Sequence, residues 1–236
     1  MDGNEILAQK AIDYIKINQK ILVEKFASPF IFLPDEVPVS VFMAGSSGAG
    51  KTEFSKNLIK ELESKDRKKV IRIDADEIRE MLPGYTGNNS YIFQGACSVG
   101  VSKLHDSALN NRQNFILDST FSNYEISYQN IKRSVDKNRK VLIIYLYQDP
   151  IVAWEFTQKR EKIEGRNIPK ESFIKQLFGA KESVNKIKEI FGKKVQIDLV
   201  ENDFNTGLKK IHMNIDNIDN YISIAYTESE LKNELS

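Results

Sequence analysis

Short apolar runs alternate with stretches of helical periodicity along most of the chain. The runs typical of β-strands are 39–44, 70–73, 115–117, 141–147 and 195–200. Segments with apolar residues every three or four positions predict helices over 52–65, 77–82, 96–110, 124–138, 150–164 and 170–190. The run 141–147 is almost continuously apolar, as expected for a strand buried on both faces of a parallel sheet. This alternation predicts an α/β fold with a five-stranded, mostly parallel sheet and helices on both faces.

Both ends of the chain extend beyond this alternation. Residues 4–26 have the spacing of one amphipathic helix, and three prolines make the following segment irregular. We expect this helix to pack on the core, with docking of a partner as the alternative. Thr227–Glu230 matches a capping box that opens a short final helix. The predicted organisation is an N-terminal helical extension over 1–37, an α/β domain over 38–200 and a C-terminal extension over 201–236.

The composition limits the classes of partner and compartment. The 236 residues include 34 Lys and Arg and 33 Asp and Glu, so no excess charge favours extended nucleic acid or a membrane surface. Cys97 is the single cysteine, which excludes an internal disulfide and is typical of a reducing compartment. No signal peptide or membrane-spanning run is recognisable, so the expected location is the cytoplasm.

The strongest motif lies between the first predicted strand and the helix that follows it. Residues 45–52 match the P-loop pattern G-x-x-x-x-G-K-[ST]. They are Gly45, Ser46, Ser47, Gly48, Ala49, Gly50, Lys51 and Thr52. The glycines let backbone N–H groups surround phosphate oxygens at a helix N-terminus, where the helix dipole also favours an anion. Lys51 can reach the β- and γ-phosphates and the Thr52 hydroxyl can bind Mg²⁺, so the motif predicts a site for a nucleoside triphosphate with magnesium.

Further polar residues follow predicted strands at the edge of the sheet where the P-loop lies. Asp118 ends the third strand, where P-loop proteins place a carboxylate that holds Mg²⁺; a capping or loop position is the alternative. Asp76 lies just beyond the second strand and is the candidate base that orients an acceptor hydroxyl and accepts its proton. Asp74 can support the metal, and one of these two aspartates is expected to cap the helix 77–82. Thr120 either binds a substrate or caps the next helix.

Two arginines near the end of the helix 150–164 can complete a phosphoryl-transfer site. Arg160 lies late in this helix, and Arg166 follows Gly165 in a segment that could close as a lid. Guanidinium groups in such a lid can stabilise the charge that spreads over the transferring phosphoryl oxygens. The alternative is that both are exposed cations near the C-terminal end of the helix dipole.

Other conspicuous residues are expected to have ordinary packing roles. Cys97 and His105 lack the spacing of metal ligands around them, and Trp154 is expected to pack in the core rather than to stack on a ligand. The Asn/Thr-Lys-x-Asp motif that reads guanine is missing from the sequence, which disfavours a GTPase.

With these residues in place, the chain resembles the zeta toxin family of P-loop kinases over roughly residues 38–192. The resemblance is carried by GSSGAGKT, IDADEIREMLP, ILDSTF and REKIEGRNIP. It implies an α/β P-loop kinase fold with ATP and Mg²⁺ as cofactors. It also implies ATP-dependent phosphorylation of the sugar 3′-hydroxyl of UDP-N-acetylglucosamine, and an antitoxin partner that blocks the nucleotide site.

The resemblance also assigns roles to individual positions. Lys51 becomes the phosphate-binding lysine and Thr52 the hydroxyl on the magnesium side. Asp76 matches the catalytic base, and Arg160 and Arg166 match the two arginines that line the transferred phosphate. The remaining predicted contacts are Asp118 for the metal and Asp76, Arg79 and Thr120 for the acceptor.

The chain departs from the family pattern mainly where the acceptor is recognised. Leu82-Pro83 replaces a His-Pro, Asp118-Ser119-Thr120 replaces Glu-Gly-Thr, and the segment between the two arginines is shorter. A glutamate that holds the substrate has no clear counterpart near Ser102 or Lys103. The acceptor therefore stays open. A kinase for another small molecule or for a nucleic-acid end, and a non-catalytic module gated by ATP, are the alternatives.

Overall fold

The chain is described by a computed structural model that covers residues 2–66, 69–165, 167–203 and 208–235. Its sheet has six strands in the order β2-β3-β1-β4-β5-β6. The strands are β1 Val39–Ala44, β2 Ile71–Asp74, β3 Phe115–Asp118, β4 Lys140–Tyr147, β5 Val195–Asp203 and β6 Leu208–His212. Strands β1 to β5 pair in parallel, and β6 pairs antiparallel with β5. The predicted α/β class with a mostly parallel sheet is confirmed.

Helices connect the strands and cover both faces of the sheet. They are α1 Gly3–Ile17, α2 Gln19–Ala27, α3 Lys51–Asp66, α4 Ala75–Glu80, α5 Gln94–Asn110, α6 Tyr124–Asp136, α7 Pro150–Glu164, α8 Lys170–Phe191 and α9 Glu228–Glu234. Short 3₁₀ turns lie at Ser90–Phe93, Gly192–Lys194 and Ile218–Asn220. Among the described residues, no helix combines the length and the apolar character needed to cross a membrane.

The central strand β1 shows how the two faces are covered. Phe42 faces a large cluster that includes Phe115 and residues of α5, and its ring meets the Phe115 ring edge-on at a centroid distance of 5.7 Å. Val41 and Met43 face the other side and pack with the apolar residues of α3. Because successive side chains of a strand point to opposite faces, a strand between two helical layers is apolar at most positions, and in β1 the exception is the buried Ser40. The P-loop therefore starts from a strand that is buried from Ser40 to Ala44.

Two helices replace the single helix predicted over 4–26. The break falls at Asn18, whose side-chain amide donates to the Tyr14 carbonyl oxygen at 2.8 Å. An asparagine side chain competes in this way with backbone hydrogen bonds, which favours the end of a helix. Both helices pack against α5, with Ile15 and Leu22 fully buried. The expectation that this segment packs on the core is met.

The prediction of five strands is wrong by one, because the edge strand β6 was missed. Its sequence, LKKIH, has adjacent lysines and no alternation of apolar and polar positions. An edge strand pairs on one side only, so it needs no apolar pattern on both faces, and lysines at an edge discourage pairing with other chains. Strand β5 also continues to Asp203. The segment 201–236 thus contains the end of β5 and all of β6.

The capping chemistry of the helices follows the sequence. Asp149 accepts hydrogen bonds from the backbone N–H groups of Ile151 and Val152, with Pro150 in the first turn of α7. Gly165 ends α7 in the left-handed region at φ +71°. At the far end of the chain, the Thr227–Glu230 capping box opens α9. These local signals work because each satisfies backbone groups that a helix end leaves unpaired.

His105 of α5 is fully buried, and the ring centroids of Phe42 and Phe115 lie 6.0 and 5.0 Å from its own. Burial, together with the positive charges of Arg133 and Arg139, lowers the pKa of His105 to about 3. An imidazole that must stay neutral in the fold, but protonates in the unfolded chain, links stability to pH. The expectation that His105 has no ligand role agrees with its place among core rings.

We predict that His105→Phe reduces the acid sensitivity of the fold. Protonation of the unfolded histidine begins near its ordinary pKa of 6.5, so wild-type stability falls as pH decreases through 6.5 and continues to fall toward 3. Between pH 6.5 and pH 5 this single group removes about 2 kcal/mol. Urea unfolding at the two pH values measures the difference. His212→Phe is the control, and equal pH dependence of wild type and His105→Phe would contradict the prediction.

Candidate active site

The P-loop follows β1 and is packed tightly against two neighbouring elements. A Cβ atom on Gly45, at φ +131°, would lie 2.3 Å from the Leu146 carbonyl oxygen of β4. A Cβ atom on Gly48, at φ +73°, would lie 1.9 Å from the Ala153 carbonyl oxygen of α7. Neither position can hold a side chain, both because of the contact and because of the left-handed backbone. The loop is therefore clamped between the sheet and the first turn of α7.

Side chains from distant parts of the chain hold the rest of the loop. The Ser47 backbone N–H and hydroxyl lie 3.2 and 2.7 Å from Gln176 Oε1 of α8. Asn202 of β5 donates its Nδ2 to the Ala49 carbonyl oxygen at 2.7 Å. Lys51 Nζ donates to the carbonyl oxygens of Gly45 and Ser46 at 2.9 and 2.7 Å. Gln176 and Asn202 were not predicted, because nothing in their local sequence marks a contact with a loop more than a hundred residues away.

Asp118 ends β3 beside the start of α3. The buried hydroxyl of Ser55 lies 3.0 Å from the Thr52 carbonyl oxygen and 3.1 Å from Asp118 Oδ2. Thr52 and Asp118 are thus joined through one side chain. A hydroxyl and one carboxylate are the ligands that Mg²⁺ takes from protein when phosphates and water complete its coordination. This pair fits the predicted metal, although the described residues contain no group of three His, Cys, Asp or Glu that could hold an ion alone.

Arg72 lies at the centre of this edge and was missed by the sequence reasoning. Its side chain is 8% exposed, and it donates to Asp74 Oδ2 at 2.5 Å, to Asp118 Oδ2 at 2.6 Å and to Glu77. Its Nε also donates to the Ser55 hydroxyl at 3.1 Å. A signal was present in the run VIRI, where a charged residue alternates with the buried Ile71 and Ile73.

Arg72 and Asp74 influence each other's charge state. Burial lowers the pKa of Arg72, but the carboxylates of Asp74 and Asp118 outweigh it and raise that pKa above its usual value. Burial raises the pKa of Asp74 to about 6, helped by the charges of Asp118 and Asp76 and opposed by Arg72. The neighbouring guanidinium therefore offsets only part of the desolvation of Asp74.

Asp74 and Asp76 have different surroundings although they are two residues apart. Asp74 caps α4, and its Oδ1 accepts the Asp76 backbone N–H at 2.8 Å. This confirms the expectation that one of the pair caps the helix. The side chain of Asp76 is 35% exposed and accepts a hydrogen bond from Arg79, with Arg160 Nη2 of α7 4.0 Å from its other oxygen. Asp76 is thus the more accessible aspartate, between two arginines.

Arg79 is held inside the protein rather than at its surface. The residue is 2% exposed, and its Nη2 donates to Gln94 Oε1 at 3.2 Å while Nη1 donates to Asp76. Its Nε has no hydrogen-bond partner among the described residues. Burial lowers the pKa of Arg79, yet nearby negative groups that include Asp76 raise it above the usual value. The predicted contact of Arg79 with an acceptor stays a prediction, and the geometry connects it to the solvent through Asp76.

Thr120 borders the P-loop. Its carbonyl oxygen accepts the Gly45 N–H at 3.1 Å, and its hydroxyl lies 2.9 Å from the Ser122 hydroxyl. Asn123 caps α6 by accepting the Ile126 N–H, so the alternative that Thr120 caps this helix is wrong. The structure brings Thr120 to the same edge as Asp118, and its binding of an acceptor stays a prediction.

The structure places Arg160, Gly165 and Trp154 but not Arg166. Arg160 lies on α7 with its side chain 42% exposed, near Asp76. Arg166 lies outside the described residues. Gly165 approaches the loop after α4, because a Cβ on it would lie 2.6 Å from Asn88 Oδ1. Trp154 packs against the Phe173 ring at a centroid distance of 5.2 Å, as expected for a core residue.

Comparisons with known proteins identify the family and the fold. The family model described as Zeta toxin matches residues 25–212. The fold is similar to a structure of the PezAT chromosomal toxin–antitoxin system of Streptococcus pneumoniae, with a TM-score of 0.61 and 14% identity, over 100% of this chain and 88% of that chain.

Two further structures share the fold, and both are complexes of AvrRxo1-ORF1 with AvrRxo1-ORF2. The complex with sulphate ions has a TM-score of 0.61 and 13% identity, and the complex with ATP has 0.58 and 15%. Each match covers 98% of this chain and 73% of the other. At these identities the likeness shows the fold. A search of curated proteins finds no match.

We predict that Gly48→Ala lowers the melting temperature and removes nucleotide binding. The added Cβ would collide with the Ala153 carbonyl oxygen in a left-handed backbone, which costs more than the roughly 1–3 kcal/mol of backbone strain alone. Gly3→Ala is the matched control, because a Cβ there meets nothing within 4 Å. Thermal unfolding and titration with a fluorescent nucleotide measure both effects. Unchanged nucleotide affinity in Gly48→Ala would contradict the described loop.

Proposed function

The chain belongs to the zeta toxin family, and we propose that it is a kinase that transfers the γ-phosphoryl group of ATP to a hydroxyl of a small-molecule acceptor. The observation that carries the proposal is the position of Asp76. This partly exposed carboxylate lies between Arg79 and Arg160, on the sheet edge that also holds the P-loop. A base, a cation and a phosphate-binding loop at one edge are the groups that phosphoryl transfer to an alcohol requires.

The nucleotide half of the site is the P-loop with Thr52 and Asp118. Lys51 now donates to two carbonyl oxygens of its own loop, and phosphate oxygens would replace these acceptors. Thr52 and Asp118 would hold Mg²⁺, which when bound neutralises charge on the β- and γ-phosphates. Support for ATP comes from a related fold, the AvrRxo1-ORF1:-ORF2 complex with ATP.

The acceptor half is organised around Asp76. Its carboxylate would accept a hydrogen bond from the acceptor hydroxyl, orient the attacking oxygen and take its proton during transfer. Arg79 would fix the carboxylate from inside, as a positioning residue. Arg160 is about 10 Å along α7 from Ala153, the residue that touches Gly48, so the helix spans the distance between the loop and the base. Arg160, together with Arg166 as the family resemblance implies, would stabilise charge on the transferring phosphoryl group.

We propose a nucleotide sugar such as UDP-N-acetylglucosamine as the first acceptor to test, on the strength of the family resemblance. The loop between α4 and α5 reaches the end of α7, where Asn88 lies against Gly165. We propose that this loop lines the acceptor site. Its sequence departs from the family pattern at Leu82-Pro83, where the family has His-Pro. Another small molecule is therefore the second candidate. A cytoplasmic location and an antitoxin partner are part of the proposal, and the PezAT toxin–antitoxin system among the similar folds supports the latter.

We predict that Asp76→Asn abolishes transfer but keeps ATP binding. Removal of a positioned general base lowers the rate by roughly 10²–10⁴-fold, whereas the phosphate-binding groups stay in place. Purified protein with Mg²⁺, labelled ATP and UDP-N-acetylglucosamine is assayed by mass, alongside Asp136→Asn, an exposed aspartate of α6, as the matched control.

The outcomes separate the candidate functions. Labelled sugar nucleotide from wild type and from Asp136→Asn, but not from Asp76→Asn, supports the kinase and its base together. If the protein binds ATP but does not phosphorylate UDP-N-acetylglucosamine, a metabolite extract is screened for another phosphate acceptor. If no acceptor gains phosphate and Asp76→Asn binds ATP and partners like wild type, the protein is a binding module gated by nucleotide.

We predict that Arg79→Gln lowers kcat more than it raises KM for the acceptor. Loss of the buried guanidinium frees the Asp76 carboxylate and changes the charge beside it, so the acid limb of the pH–rate profile should move toward higher pH. Arg79→Lys restores the charge and should restore part of the rate. A direct acceptor contact predicts the opposite pattern, in which KM rises and the pH profile stays unchanged.

A further inference from the structure

Arg72 is bonded to Asp118, the proposed magnesium ligand, and to two further carboxylates, Asp74 and Glu77. One guanidinium faces Asp74, Glu77 and Asp118, and two of these carboxylates are nearly buried, with side chains 11% and 5% exposed. One positive charge against three negative ones leaves an excess of two negative charges, although Glu77, with its side chain 37% exposed, is in part solvated. Burial of such an excess is costly unless a further cation arrives. A divalent cation would balance the group.

The Arg72 guanidinium already occupies an oxygen of Asp118, the carboxylate that would have to bind the magnesium ion. Arg72 Nη2 is 2.6 Å from Asp118 Oδ2, the same oxygen that the Ser55 hydroxyl contacts. That oxygen cannot hold both partners and a metal ion in a normal coordination shell. Either the carboxylate turns away from Arg72 when the metal binds, or the metal uses only its other oxygen beside a positive charge.

The remaining partners of Arg72 favour the alternative in which the Asp118 carboxylate turns away from Arg72 when the metal binds. If Asp118 turns away, Nη1 still donates to Glu77 and Nη2 still donates to Asp74 at 2.5 Å. The guanidinium therefore stays paired, and the usual penalty for a buried charge that loses its partner does not arise. In this exchange, the Asp118 carboxylate leaves the Arg72 guanidinium and binds Mg²⁺.

Ser55 connects this exchange to the P-loop helix. Its hydroxyl accepts from Arg72 Nε at 3.1 Å and lies 3.0 Å from the carbonyl oxygen of Thr52, the proposed metal-side residue. The residue is fully buried, so the hydroxyl has little freedom to move independently. A shift of Thr52 on nucleotide binding would thus move the Ser55 hydroxyl and change the hydrogen bond between Arg72 and Asp118.

We propose that Arg72 is a resting counter-ion for Asp118, which yields the carboxylate to magnesium only when the metal arrives with nucleotide phosphates. The inference rests on the proposed function, in which Asp118 is a magnesium ligand. It makes Arg72 a positioning residue that keeps free Mg²⁺ out of the empty site. Mg²⁺ alone then binds weakly, because it competes with a guanidinium already in place.

The test measures magnesium without catalysis. Arg72→Met removes the charge and keeps most of the apolar stem. Arg133→Met is the control, since Arg133 pairs with Asp106 outside the site. Thermal unfolding is followed in MgCl₂ without nucleotide, and the Mg²⁺ dependence of ATP binding is followed by calorimetry. Because loss of Arg72 leaves three carboxylates without a cation, Arg72→Met/Glu77→Gln, with one carboxylate fewer, is prepared as a second variant.

We expect MgCl₂ alone to raise the melting temperature of Arg72→Met clearly and those of wild type and Arg133→Met little. The Mg²⁺ concentration that half-saturates ATP binding should fall roughly tenfold in Arg72→Met, as when one close charge pair is removed. In the double variant, the melting temperature in MgCl₂ and the half-saturating Mg²⁺ concentration should change in the same directions. An equal Mg²⁺ response in all proteins, or a higher Mg²⁺ requirement in the Arg72 variants, overturns the inference.

Asp118→Asn separates this inference from the proposed function. A higher Mg²⁺ requirement in Asp118→Asn, with no change in the Arg72 variants, rejects the exchange and keeps the metal assignment. If Asp118→Asn binds ATP with the same Mg²⁺ dependence as wild type, the assignment of Asp118 itself fails.

Discussion

Carboxylates at the ends of buried strands need cations within hydrogen-bond distance, and this requirement shapes the active edge of the protein. Asp74 and Asp118 lie opposite each other in register at the ends of β2 and β3. Arg72 bridges them, and Arg79 does the same for Asp76 from the interior. Without Arg72, the nearly buried carboxylates of Asp74 and Asp118 would share a region with little water, where unpaired charge is very costly.

The same edge depends on contacts that come from the far side of the fold. The P-loop lies against β4 and α7 through Gly45 and Gly48, while Gln176 and Asn202 hold it from α8 and β5. Its conformation is thus determined by elements that the chain reaches only after another hundred residues. Such a loop is preorganised, since the cost of ordering it has been met by folding before any phosphate binds.

The C-terminal helix belongs to this support. Leu231 of α9 and the following Leu235 are buried in one cluster with Trp154 of α7 and Phe173 of α8. Those two helices carry Arg160 and Gln176. Helix α9 therefore packs against the helices that supply these two side chains to the site. The N-terminal helices pack on α5, whose first residue, Gln94, bonds Arg79. Both extensions therefore reach the site through one intermediate helix.

The sequence by itself determined what depends on neighbours along the chain. Alternating periodicity predicted the α/β class, the G-x-x-x-x-G-K-[ST] motif predicted the phosphate loop, and the capping box at Thr227 predicted the start of the last helix, because helix ends and tight turns satisfy their own backbone groups locally. The aspartates of the site were found because parallel strands end at one edge. Arg72, Gln176, Asn202 and the edge strand β6 were not found. Their roles arise from pairing across the sheet and between layers, where partners are fixed by burial and charge compensation in three dimensions and leave no periodic trace in the chain. Only the tertiary structure could decide them.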